Sequence, residues 1–133
     1  QWFGTVTARD NLQIQQHVEI LLADGTTRLK AAITAQSAER LGLDEGKEVL
    51  VLLKAPWVNI TRNPDTAQAA DNQLSGAISH IERGKAQCEV LMTLADGQSL
   101  CATVPCSEAD GLEEGAVVTA YFNADRVIIA TLC

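Results

Sequence analysis

Residues 49–57 read Val49-Leu50-Val51-Leu52-Leu53-Lys54-Ala55-Pro56-Trp57. Successive side chains of a strand point to opposite faces, so an unbroken apolar run predicts a strand that is apolar on both. A single lysine ends the run and a Pro-Trp pair follows it. Residues 117–126 (Val117-Val118-Thr119-Ala120-Tyr121-Phe122-Asn123-Ala124-Asp125-Arg126) have the same shape, with Asn123 where Lys54 stood.

The chain reads as a tandem repeat. Gly4-Thr5-Val6-Thr7 lies over Gly76-Ala77-Ile78-Ser79, and Leu22-Ala23-Asp24-Gly25 over Leu94-Ala95-Asp96-Gly97. Leu29 to Ile33 meets Leu100 to Val104 after one dropped residue, and Leu43-Asp44-Glu45-Gly46 meets Leu112-Glu113-Glu114-Gly115 after two more. The dropped residues fall in turns, where loops absorb them. The copies span residues 1–60 and 73–133. Residues 61–72 between them are polar, contain Pro64 and lack periodicity, and so read as a linker. A copy of about 60 residues has a marginal core on its own, so the halves are expected to share one with each other or with a second chain.

Each half patterns as β. Residues 2–8, 16–23 and 27–33 alternate as strands, and Asp24-Gly25 carries the signal of a tight hairpin. Residues 34–42 read as a short helix, with Thr34 as N-cap and Gly42 as the stop. The apolar run and a last short strand at 57–60 complete the half. The fold class expected is mainly β: a tandem pair of small five-stranded OB-like barrels, each with one short helix.

The chain has 133 residues, of which 47% are hydrophobic and 4% aromatic, so the core must be aliphatic. Its apolar runs fall far short of the roughly 20 residues that span a bilayer, and no signal-peptide pattern opens it. Opening on Gln1 rather than Met, it reads as a piece of something longer. A net charge of −7 argues against holding nucleic acid unaided, and the few aromatics argue against stacking bases on an OB surface. Cys88, Cys101, Cys106 and Cys133 form no C-x-x-C pair, so no zinc site is expected and the thiols read as reduced and cytosolic.

Lys54 by itself reads as the snorkelling end of a buried strand, and Thr34 and Ser37 as ordinary helix-start residues. Comparison of the copies changes this. The second copy has Pro105 for Thr34 and Asn123 for Lys54, and Glu108 falls near Ser37. One copy thus keeps a hydroxyl-rich helix start and a cation that its twin lacks, a combination suited to a small oxyanion. Nothing reads as an enzyme. His17 and His80 have no nucleophile at a telling spacing, Asp44-Glu45 and Glu113-Glu114 recur as turn residues, and no glycine-rich phosphate loop is present.

The tandem copies resemble the molbindin (Mop/TOBE) family. They run through Leu-Ala-Asp-Gly hairpins to Leu52-Leu53-Lys54-Ala55-Pro56-Trp57 and Ala120-Tyr121-Phe122-Asn123-Ala124-Asp125. The arrangement is similar to the C-terminal tandem-Mop part of bacterial molybdate-dependent transcriptional regulators. The resemblance implies OB-like barrels, a homodimer, and molybdate or tungstate held at the subunit interface by hydrogen bonds rather than by metal coordination, with no cofactor. Matched position by position, it implies Thr34, Ser37, Lys54 and the Ala55 backbone as ligands. The second copy becomes scaffold and interface, and DNA is reached only through a domain absent from this chain. Family repeats usually open Ser-Ala-Arg-Asn-Gln, whose Ser and Arg also hold the anion. The second copy instead reads Ala69-Ala70-Asp71-Asn72-Gln73, and the first copy's counterparts would lie upstream of Gln1. Two other readings remain open: a stand-alone molybdate-storing molbindin, and a dimerisation module without ligand.

Overall fold

The alternating stretch at the start becomes β1 (Trp2–Arg9), which pairs antiparallel with β2 (Gln15–Leu22), and β2 pairs with β3 (Arg28–Thr34). Then follow α1 (Ala35–Leu41), β4 (Glu48–Leu52), a 3-10 turn over Ala55–Trp57 and β5 (Asn59–Thr61). After α2 (Pro64–Ala67) the second copy repeats the order: β6 (Asn72–Arg83), β7 (Gln87–Leu94), β8 (Ser99–Pro105), α3 (Cys106–Ala109) and β9 (Val117–Phe122). A second 3-10 turn, Ala124–Arg126, leads into β10 (Ile128–Thr131). The computed structural model describes residues 2–9, 15–23, 25, 27–94 and 97–131. Asp24 of the expected hairpin signal and the terminal Cys133 lie outside the described residues.

The fold is mainly β, as the repeat pattern predicts, but the last strand of each copy is exchanged. One five-stranded sheet has the order β10-β4-β1-β2-β3 and the other β5-β9-β6-β7-β8. The compact units are accordingly residues 1–53 with 123–133, and residues 54–122. Sequence repeats and compact units therefore have different boundaries, and the chain passes from one unit to the other just after each long apolar strand.

Equivalent residues do equivalent work. Val6, Val18, Ile20 and Leu43 are buried in the first unit, as are their counterparts Ile78, Val90, Met92 and Leu112 in the second. Each first strand carries a bulge at the same place, between Val6 and Ala8 and between Ile78 and His80. There the acidic turn docks: Gly46 N–H donates to Val6 O at 2.8 Å, and Gly115 N–H to Ile78 O at 2.7 Å. Both glycines have φ near +90°, a region costly for any side chain. Asp44-Glu45 and Glu113-Glu114 are thus turn residues with exposed side chains.

Two expectations need correction. β4 is not fully buried on both faces: Val49 and Val51 are, whereas Leu50 and Leu52 are half-buried. The final strand of the first copy runs over 59–61 rather than 57–60, because Pro56 and Trp57 belong to the 3-10 turn. Residues 61–72, read as a linker, contain the short α2. Asn63 Oδ1 accepts from Asp65 N–H at 3.1 Å and caps α2, whose Ala67 is buried.

Candidate functional site

Thr34 ends β3 in an extended conformation and caps α1, its Oγ1 accepting the Ser37 N–H at 3.2 Å. Buried Ala38 anchors the helix, and Gly42 closes it at φ 67° with its N–H on the carbonyls of Ala38 and Glu39. Arg40 reaches back from the last turn, its Nη2 3.5 Å from Ser37 Oγ. Both hydroxyl oxygens therefore already accept a bond. A hydroxyl has one proton to donate, and with the oxygen engaged that proton is left for an incoming acceptor. Arg40 was not among the residues expected from sequence; its position three after Ser37 on a helix is the signal that places it there.

Lys54 is the exposed N-cap of the first 3-10 turn and makes no side-chain cap bond. Its Nζ lies 4.9 Å from the centroid of the Trp57 ring, a cation–π distance that holds the ammonium at the mouth of the turn. Side chains three apart eclipse in a 3-10 turn, and Pro56 fixes the backbone between them. Ala55 follows as the first residue of the turn, its carbonyl accepting from Val58 N–H at 3.2 Å. Thr34 and Ser37 thus meet at one helix start, and Lys54 and Ala55 at one turn. The first pair belongs to the unit of residues 1–53 and 123–133, the second to the unit of residues 54–122.

The exchange gives each unit an uneven set. In the first, the turn beginning at Asn123 packs against β3, so the hydroxyl-bearing helix start shares its unit with Asn123 and Asp125 rather than with Lys54. In the second, the turn after Lys54 packs against β8, which ends at Pro105. There α3 begins without a side-chain cap and carries Glu108 in its only turn. A carboxylate at that end repels an anion.

Two other groups of charges have local tasks. Arg28 Nη1 lies 2.6 Å and Thr7 Oγ1 2.9 Å from Glu19 Oε1. These bonds, Thr7 foremost, hold the Glu19 carboxyl below its ordinary range. His80 is exposed between Glu82 at 3.2 Å and Glu114 at 3.3 Å, whose hydrogen bonds push its pKa up. A cleft of about 400 Å³ lined by Arg62, Glu108, Asp110 and Tyr121, among others, mixes both signs of charge and takes in none of the four expected ligands. No cluster of three or more metal-ligating side chains, and no helix long and apolar enough to cross a membrane, occurs among the described residues.

A family model described as the TOBE domain matches residues 1–60 and again 68–129. The chain is 74% identical over 133 residues to the DNA-binding transcriptional dual regulator ModE of Escherichia coli (strain K12), covering 100% of the chain and 51% of that protein. It is 58% identical over 135 residues to the transcriptional regulator ModE of Yersinia pestis, covering 100% of the chain and 51% of that protein. It is 35% identical over 129 residues to the molybdenum-pterin-binding protein MopA of Rhodobacter capsulatus, covering 95% and 48% respectively. The chain spans about half the length of the curated relatives it matches. Among solved structures, the cytoplasmic molybdate-binding protein ModG, with molybdate bound, matches at TM-score 0.93 and 34% identity, over 98% of this chain and 94% of that one.

Proposed function

The chain belongs to the TOBE-domain family, and from that premise we propose that it is the molybdate- or tungstate-sensing module of a transcriptional regulator, not an enzyme. The observation that carries this reading is the similarity, along 98% or more of this chain, both to ModE regulators and to a molybdate-bound structure. Thr34 and Ser37 donate hydroxyl protons to the anion, Lys54 supplies the charge, and the Ala55 backbone N–H completes the set. The four are brought together in a cytoplasmic homodimer, at the subunit interface. DNA is contacted by a part of the regulator outside this chain, in keeping with the half-length coverage of its relatives.

The asymmetry of the copies supports binding through the first. Of the equivalent helices α1 and α3, only α1 has a side-chain cap, and of the two 3-10 turns only the first begins at a lysine. An anion changes the regulator by binding one dimer arrangement better than another, shifting the population by that difference. Similarity to ModG favours a second reading, a molybdate-buffering protein, which would use the same residues.

Calorimetric titration with molybdate tests the site. Lys54→Ala removes a charge-assisted bond and is expected to weaken binding by about 10- to 100-fold. Unchanged affinity in that variant would remove Lys54 from the site, and absence of binding by the unaltered chain would overturn the sensing reading.

A further inference from the structure

We propose that Cys88 and Cys106 form a reversible intramolecular disulfide that staples the start of α3 to β7. The two sulfurs are 2.8 Å apart, although 18 residues separate them in sequence. A disulfide needs about 2.05 Å, so closing the bond asks for less than 1 Å of movement. The backbone already holds both partners. Cys88 pairs in register with Val104, and Cys106 N–H donates to Ala86 O at 3.0 Å, which fixes α3 onto the turn between β6 and β7.

The two thiols differ in access. Cys88 is 1% exposed, whereas Cys106 is half-buried and donates weakly to Gly84 O at 3.4 Å. Cys106 is therefore the thiol that an oxidant reaches, and Cys88 the one that resolves. With a peroxide as oxidant, Cys106 Sγ attacks one oxygen, the O–O bond breaks, and a sulfenic acid and one water form. Cys88 Sγ then displaces the sulfenic oxygen as a second water. Two thiols lose two electrons and two protons, and the peroxide is reduced to two waters. The Cys88 hydrogen bond, followed by burial, holds the Cys106 thiol above its ordinary pKa, so the reaction quickens with rising pH.

The staple acts on a short helix with few local bonds of its own. α3 has four residues, no side-chain cap at Pro105, and an extended Asp110 at its end. It is held otherwise by buried Ala109 and Leu112 and by the bond from Arg83 Nη2 to Leu112 O at 2.9 Å. In the first copy, the positions equivalent to Cys88 and Cys106 are Gln16 and Ala35, so the device belongs to one unit only.

The test treats the chain with mild hydrogen peroxide and counts thiols. The expected result is loss of two of the four thiols, a mass lower by two hydrogens, and no covalent dimer. Dithiothreitol should restore the starting state, and the oxidised form should melt higher by about 5 °C. Digestion at glutamate cuts after Glu89 and should leave the Cys88 peptide joined to the one carrying Cys106. Cys101→Ser should keep that link, whereas Cys106→Ser and Cys106→Ala should abolish it while melting like the reduced parent. Retention of alkylatable Cys88 and Cys106 after oxidation, or a link that survives in Cys106→Ser and is lost in Cys101→Ser, overturns the proposal.

Discussion

The ammonium of Lys54 stands over the indole of Trp57, 4.9 Å from its centroid. The residue carrying the proposed site's charge is thus positioned by its own turn before any ligand arrives. Trp57→Phe keeps a weaker ring face and Trp57→Ala removes it. We expect molybdate affinity to fall by about 2- to 5-fold in Trp57→Ala, the size of an exposed cation–π contact, and by less in Trp57→Phe. Titration of both variants, with circular dichroism to verify the fold, checks this order.

Thr34 combines a structural and a ligand role, and the two separate in the measurement. Thr34→Ala removes the α1 cap and should cost about 1 kcal/mol, lowering the melting temperature by a few degrees without any anion present. It should also weaken molybdate binding, because the donor proton goes with the cap. Thr34→Ser retains both functions and is expected to stay near the parent in both assays.

Gly4 and Gly76 occupy equivalent strand positions with different tolerance. A Cβ at Gly76 would lie 2.6 Å from the Thr93 carbonyl oxygen and 3.2 Å from its carbon, both backbone atoms. At Gly4 the nearest atom, at 2.5 Å, is a side-chain methyl of Ile20, with the Leu21 carbonyl oxygen at 3.0 Å. Both alanine substitutions should destabilise by about 1–3 kcal/mol, with Gly76→Ala the more costly because a strand rather than a side chain must move. Urea denaturation gives the ranking.

Glu19 links stability to pH. Its carboxyl is held below the ordinary value of 4.5 by the Thr7 hydroxyl and then by Arg28. A depressed folded-state pKa contributes stability that is present above 4.5 and lost as pH falls through the folded value. Thr7→Val removes the larger cause. Its stability deficit should therefore be greater at neutral pH than in acid, as urea midpoints at pH 7 and at about pH 3 would report.

Much of the fold is legible in the sequence because the copies check each other. The bulges and buried pairs such as Val18 and Val90 recur at one spacing, and the glycine-closed acidic turns recur at a spacing shortened by the dropped residues. The exchange of β5 and β10 is not legible for the same reason. Two similar copies end in similar strands, and Asn59–Thr61 matches the pattern of either sheet as well as Ile128–Thr131 does. The chain crosses from one unit to the other beside the 3-10 turns, a path that no apolar periodicity encodes. The candidate site is half legible. Thr34 and Lys54 stand out by comparison with Pro105 and Asn123, but the Trp57 ring under Lys54 and the Arg40 reach to Ser37 come from local geometry. The sulfur pair joins residues 18 apart with no motif between them.

The exchanged strands also set an order in time. The sheet containing β5 and β9 has all its strands once residue 122 has been made. The sheet begun by β1 keeps β4 as an open edge until β10 is complete at residue 131. On the ribosome, domains generally close from the N-terminus onward; here the half that begins first is the last to be finished. Until β10 emerges, the unpaired edge of β4 is open to pairing with a neighbour.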